Sequence, residues 1–160
     1  MNVTETTEMT MEARMTNPGR TLPGVGGAIG TMMGAIHGTG VPAGTLELVH
    51  LRTSQINGCA FCVDMAAGDL RKGGESDERL AGVAVWREGP WFSDVERAAL
   101  GLAEAATRLS DRPDPVPDEV WDEAVRHYDE KALGGLLLQI ALTNFFNRVN
   151  VSIRQPPGTW

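Results

Sequence analysis

The chain has 160 residues with 14 Lys+Arg against 21 Asp+Glu, a formal net charge of −7. That length corresponds to one domain, able to bury roughly 68–70% of the surface its unfolded form exposes, so its core requires no metal or disulfide staple. A 42% hydrophobic and 22% charged composition excludes a disordered or fibrous chain. The acidic balance, with no Lys/Arg-rich block, makes nucleic acid an unexpected partner.

Residues 1–23 are polar, contain Pro18-Gly19 and Pro23, and show no sustained periodicity, so they are expected to form a flexible N-terminal arm. Val25, Ala28, Ile29, Met32, Met33 and Ile36 recur at helical spacing, and Gly38 and Gly40 end that helix. Gly26, Gly27, Gly30 and Gly34 weaken it, which calls for close packing against neighbours. A second helix opens at Pro42 and carries Leu46, Val49 and Thr53 inward until Asn57-Gly58. Cys59, Cys62, Val63, Ala66, Ala67 and Leu70 set a third, closed by Arg71, Lys72 and Gly73-Gly74. A fourth is expected from Ser76 to about Trp86. A fifth follows the capping box Ser93-Asp94-Val95-Glu96. After the stiff Pro113, Pro115, Pro117 connector, Asp118 is expected to cap a sixth helix bearing Val120, Trp121, Ala124, Val125 and Tyr128. The last should turn Leu133, Leu136, Leu137, Ile140, Ala141 and Phe145 inward.

No strand alternation of convincing length interrupts this series, so the expected fold is all-α, a bundle of about six to seven helices over residues 24–155 with an irregular tail at 156–160. The longest apolar runs fall far short of the ~18–20 residues that span a bilayer, and the Thr/Met-rich start lacks the basic and apolar regions of a secretory signal. The expected setting is the cytoplasm, with no membrane partner.

Cys59 and Cys62 account for both cysteines of the chain. On one helix, Cβ atoms three residues apart lie about 5–6 Å from each other, and a disulfide wants roughly 3.5–4.5 Å, so a small adjustment of the first turn allows reversible oxidation. A helix N-terminus also favours the thiolate, through its dipole and its unpaired N–H groups. Two other readings exist. Zinc would need four ligands, and His37, His50 and His127 have no suitable spacing. The lesser alternative to redox work is that both cysteines are inert small hydrophobes in the core.

The run from Glu47 through His50-Leu51-Arg52-Thr53-Ser54-Gln55-Ile56-Asn57-Gly58-Cys59-Ala60-Phe61-Cys62 to Met65 resembles the core of the AhpD-like alkylhydroperoxidases, which group with the carboxymuconolactone decarboxylases. The resemblance continues at Gly73-Gly74-Glu75, Trp86-Arg87-Glu88, Glu96-Arg97-Ala98-Ala99-Leu100, Asn144 and Asn147-Arg148. It covers roughly residues 25–155 and is far more specific than a lone Cys-x-x-Cys. It implies an all-helical protomer, assembly as a trimer or hexamer, and reduction of hydroperoxides with no prosthetic group. An external dithiol of lipoyl type, carried by a donor protein, would restore the cysteines.

By the same resemblance Cys62 is the peroxidatic cysteine, Cys59 the resolving one, and Glu47 the relay carboxylate. The family's histidine falls on Ala66, where a helix would turn it toward the thiols. Ala66 cannot carry a proton, so the activity is expected to be impaired, by about 10²–10⁴ if no other group substitutes. His50, three residues from Glu47, is a possible auxiliary base, against the plainer reading of a partly exposed histidine. Glu47 could instead pair with Arg52. Trp86, Trp91, Phe145 and Phe146 are expected in the core or a subunit interface. The alternatives are a redox-neutral carboxymuconolactone-decarboxylase-like enzyme, disfavoured because that branch does not rely on a cysteine pair, and a non-catalytic oligomeric thiol sensor.

Overall fold

A computed structural model of the chain describes residues 11–159. Its elements are α1 (Pro18–Thr21), α2 (Val25–His37), α3 (Ala43–Asn57), α4 (Ala60–Lys72), α5 (Asp77–Gly82), a 3₁₀ turn (Val83–Val85), α6 (Asp94–Thr107), α7 (Asp118–His127) and α8 (Glu130–Ile153). Among the described residues there is no strand, and no helix is long and apolar enough to cross a membrane.

Helix α3 is the axis of the fold, packed against α4, α6 and α8. Its Leu46 and Val49 join Ile36, Ala99, Leu102, Leu136 and Ile140 in one apolar cluster. Its Leu48 and Leu51 join Ala66, Leu70, Val83, Trp86 and Leu100 in a second. A helix that feeds two cores must be apolar on two faces, which is why its sequence shows only a weak inward stripe.

Several boundaries differ from the sequence expectation. The arm at 1–23 is only in part open to comparison, since residues 1–10 lie outside the described residues. Residues 14–21 belong to the folded unit. Arg14 N–H donates to Ile153 O at 2.8 Å, and Asn17 caps α1 by accepting the N–H of Gly19 at 2.9 Å. The helix expected from Ser76 to Trp86 tightens after Gly82 into the 3₁₀ turn. Asp118 is the first helical residue, with Pro117 at the cap and no side-chain cap bond. The Ser93/Glu96 capping box forms as expected. Along α8, Leu133, Leu136 and Ile140 are buried, but Leu137, Ala141 and Phe145 face outward. The inner face of α8 is instead shared with polar Gln139, Thr143, Asn147 and Asn150. A purely apolar template misassigns such a face.

Candidate active site

The chain reaches the cysteines through a tight helix-to-helix turn. Gly58 ends α3 in the left-handed region at φ 68°, and the Cys59 N–H donates back to Ser54 O at 3.0 Å. A side chain is disfavoured there by its Cβ, so glycine is what this turn requires. Two asparagines of α8 stand behind the turn. Asn57 Nδ2 donates to Asn144 Oδ1 (2.9 Å) and Asn147 Oδ1 (2.8 Å), and Asn147 Nδ2 donates to Ser54 Oγ at 3.0 Å. These bonds fix where α4 begins.

Cys59 is the N-cap of α4 and its sulfur accepts the N–H of Cys62 at 3.3 Å. The two cysteines form a disulfide with Cα atoms 5.3 Å apart, both residues deep in the fold (1% and 0% exposed). Cys62 Sγ in turn accepts from Asn150 Nδ2 at 3.4 Å. The pair therefore sits at the positive end of a helix, with one N–H donor on each sulfur.

Beside it lies a cavity of about 580 Å³. Phe61 and Met65 of α4, which flank Cys62, form one wall, and Phe145 and Phe146 of α8 another. Pro18, Leu22 and Ile29 close it from the N-terminal side. The polar groups on this wall include two contacting pairs. One is Glu47 with His50, Nδ1 to Oε2 at 3.3 Å; the other is Asn17 with Asn150, Nδ2 to Oδ1 at 3.0 Å. His50 is 6% exposed, and its Nε2 is a buried ring nitrogen with no hydrogen-bond partner. An unpaired buried polar atom is costly, and this one belongs to a residue of the cavity wall.

The predicted site residues divide accordingly. Glu47 and His50 share the cavity wall with Phe61 and Met65 of α4, while Cys59 and Cys62 form the disulfide at the start of α4, behind that wall rather than on it. His50 is buried rather than partly exposed, because α8 packs over its face of α3. Glu47 pairs with His50, while Arg52 turns away to Glu104 Oε1 of α6 at 2.8 Å. Ala66 is 0% exposed within the second apolar cluster and is not on the cavity wall. His37 is exposed and His127 contacts Glu123 at 3.2 Å. Trp86 is core, as expected, while Phe145 and Phe146 line the cavity. Sequence reasoning missed Asn17, Asn150 and the whole N-terminal wall. Asn144, Asn147 and Asn150, spaced by three on an otherwise apolar helix, were the available signal; Asn17 had none.

Among the described residues no group of three or more His, Cys, Asp or Glu is placed to hold a metal ion. The model of the carboxymuconolactone decarboxylase family matches residues 23–105. The uncharacterized protein YdfG of Bacillus subtilis is 40% identical over 109 residues, 68% of this chain and 73% of its own length. The crystal structure of ATU0492 from Agrobacterium tumefaciens, a protein of unknown function bearing the antioxidant-defence name AhpD, superimposes with TM-score 0.84 at 29% identity, covering 93% of this chain and all of that one. The debrominase Bmp8 shares the fold at TM-score 0.77 and 21% identity, over 88% of this chain and 74% of its own.

Proposed function

The chain belongs to the carboxymuconolactone decarboxylase family, and on that premise we propose that it reduces organic hydroperoxides with the Cys59/Cys62 dithiol. The observation that carries this reading is the disulfide at the N-terminus of α4, beside an apolar cavity whose wall holds the Glu47–His50 pair.

In the proposed cycle the Cys62 thiol gives its proton to His50, and the thiolate attacks the outer oxygen of the hydroperoxide. The O–O bond breaks, the leaving alkoxide takes a proton back from His50 and departs as the alcohol, and Cys62 becomes a sulfenic acid. Cys59 then attacks that sulfur, water leaves, and the disulfide forms. Two electrons from an external dithiol, of lipoyl type by family resemblance, reopen it. Glu47 orients the His50 ring through the contact to Nδ1. His50 is the one imidazole on the cavity wall, and alanine at position 66 supplies none from the cluster behind it. This reading expects slower turnover than in relatives with histidine there. It needs a reducing compartment, for which the cytoplasm is the natural candidate.

The test is stopped-flow loss of free thiol when the reduced protein meets cumene hydroperoxide, with recycling by dihydrolipoamide. Cys62→Ser should abolish the reaction and His50→Gln should slow it by about 10²-fold. Thiol loss no faster than that of a free dithiol would overturn the proposal.

A second reading draws on the cavity itself, which has the size and apolar lining of a small-molecule site. The fold is shared with a debrominase, also crystallised as a cysteine-to-alanine variant in complex with 2,3,4-tribromopyrrole. Chemistry on a small organic ring would show as turnover in a substrate screen without peroxide. A bare thiol sensor would show neither activity.

A further inference from the structure

The direction of one buried amide is dictated from the far end of a hydrogen-bond chain. The N–H of Gly19 can only donate, and Asn17 Oδ1 accepts it at 2.9 Å. Asn17 is left with its Nδ2, which donates to Asn150 Oδ1 at 3.0 Å. Asn150 is thereby left with its own Nδ2, which points to Cys62 Sγ at 3.4 Å. Asn150 is buried, 6% exposed, on the cavity wall. An amide orientation is ordinarily ambiguous, but this one is fixed by a backbone group two residues beyond Asn17.

A donor aimed at a sulfur matters most when the sulfur is charged. A hydrogen bond to the ionised form favours it, whereas burial disfavours it. The titratable groups on the cavity wall that Asn150 lines, with Cys62 buried behind it, are Glu47 and His50 from α3 and Asp69 from α4. Two of these are carboxylates, which oppose a thiolate. From α8, the wall polar groups are the neutral amides of Gln139 and Asn150. Gln139 Nε2 contacts Leu46 O at 3.5 Å, which leaves Asn150 as the side-chain donor recorded on Cys62.

We propose that Asn150 is a catalytic residue that holds Cys62 in its thiolate form, and that Asn17 is a positioning residue that keeps the Asn150 amide facing the sulfur. The segment from Arg14 to Thr21 is then part of the redox site, pinned to the end of α8 by the Arg14 N–H to Ile153 O bond. The proposal rests on the reading of Cys62 as the nucleophile, but its test measures the thiolate without any peroxide.

The experiment uses the full chain in a Cys59→Ser background, in which serine keeps the N-cap of α4. Carbamidomethylation of Cys62 by iodoacetamide is followed by mass spectrometry from about pH 5 to about pH 10, a range that brackets ordinary and lowered thiol pKa values. Thermal melts run alongside. Asn150→Ala should move the midpoint upward by about one pH unit, a tenfold loss of thiolate near neutrality. Asn150→Asp, the same shape without a donor and with a negative charge, should move it further. Asn17→Ala, at a half-buried site, should move it in the same direction by less, because the freed amide turns over part of the time. Mere loosening would bring all three to one common midpoint, that of an unperturbed thiol, and would overturn the proposal. An unshifted midpoint in Asn150→Ala or in Asn17→Ala would overturn it as well. A shifted midpoint in a protein that consumes no hydroperoxide would leave this inference standing and remove the peroxidase reading.

Discussion

Ala66 is where residue identity and residue environment pull apart. Family resemblance marks the position for an imidazole, and helix geometry puts it one turn beyond Cys62. In the fold it is wholly buried, packed in the cluster that contains Leu48, Leu51, Leu70 and Val83. A larger polar ring inserted into close-packed aliphatics costs about 1–3 kcal/mol, from overpacking and from unpaired ring nitrogens. Ala66→His should therefore lower stability by that amount in urea titrations. A variant as stable as the parent would show that room for an imidazole is already present. His50 was legible from the sequence only as a possible auxiliary. Its significance comes from burial and from its unpartnered Nε2, which depend on α8 lying across α3 and have no local signature. The cysteines were readable from their spacing at the start of a helix, and Glu47 from the family resemblance of the run that leads to them. Asn17 and Asn150, 133 positions apart, had nothing in spacing to connect them.

Two devices at the level of elements hold the site in place. The first is Glu104 of α6, 5% exposed, which binds Arg52 of α3, Trp86 Nε1 at 3.0 Å and Arg87. Burial alone would raise its pKa, but the hydrogen bonds from Arg87, Arg52 and Trp86 outweigh it and hold the carboxyl below its usual 4.5. A carboxylate with a lowered folded-state pKa adds stability that is present above the unfolded value and lost as pH falls through the folded one. Glu104→Gln should cost about 2–3 kcal/mol at neutral pH. Urea titrations at neutral pH and near about pH 3 should show the gap from the parent closing in acid. The second device is the turn at Gly58, whose positive φ makes Gly58→Ala destabilising by about 1 kcal/mol. Thermal unfolding would read that loss, and no change would mean the turn had relaxed out of the left-handed region. Helix termini of this kind were legible because Gly58 and the Ser93/Glu96 box are local chemistry. The short α1 and the tightening after Gly82 were not, since tertiary contacts create them.

On the scale of the whole molecule, α2 is the anomaly. It is made almost wholly of apolar residues and glycine, yet Ile36 is its one fully buried residue. Met32 and Met33 are 42% and 40% exposed, and on neighbouring α8 Leu137, Leu138 and Phe145 are 37–47% exposed. A helix that is apolar all round belongs in an interior. Its glycines sharpen the point, because a Cβ placed on Gly27, Gly30 or Gly34 would meet nothing within 4 Å. Packing inside the protomer does not require them, though each weakens the helix by up to about 1 kcal/mol relative to alanine. Close approach by a second copy of the chain would account both for the glycines and for the uncovered apolar surface, and we propose assembly through this face. Sedimentation at micromolar concentration should then give a trimer or hexamer. Gly30→Lys, which sets a charge on the open stripe without touching the protomer core, should shift the boundary toward smaller species while the helical circular dichroism stays unchanged. A parent protein that sediments as a monomer would sink the idea, and so would a lysine variant that assembles as the parent does.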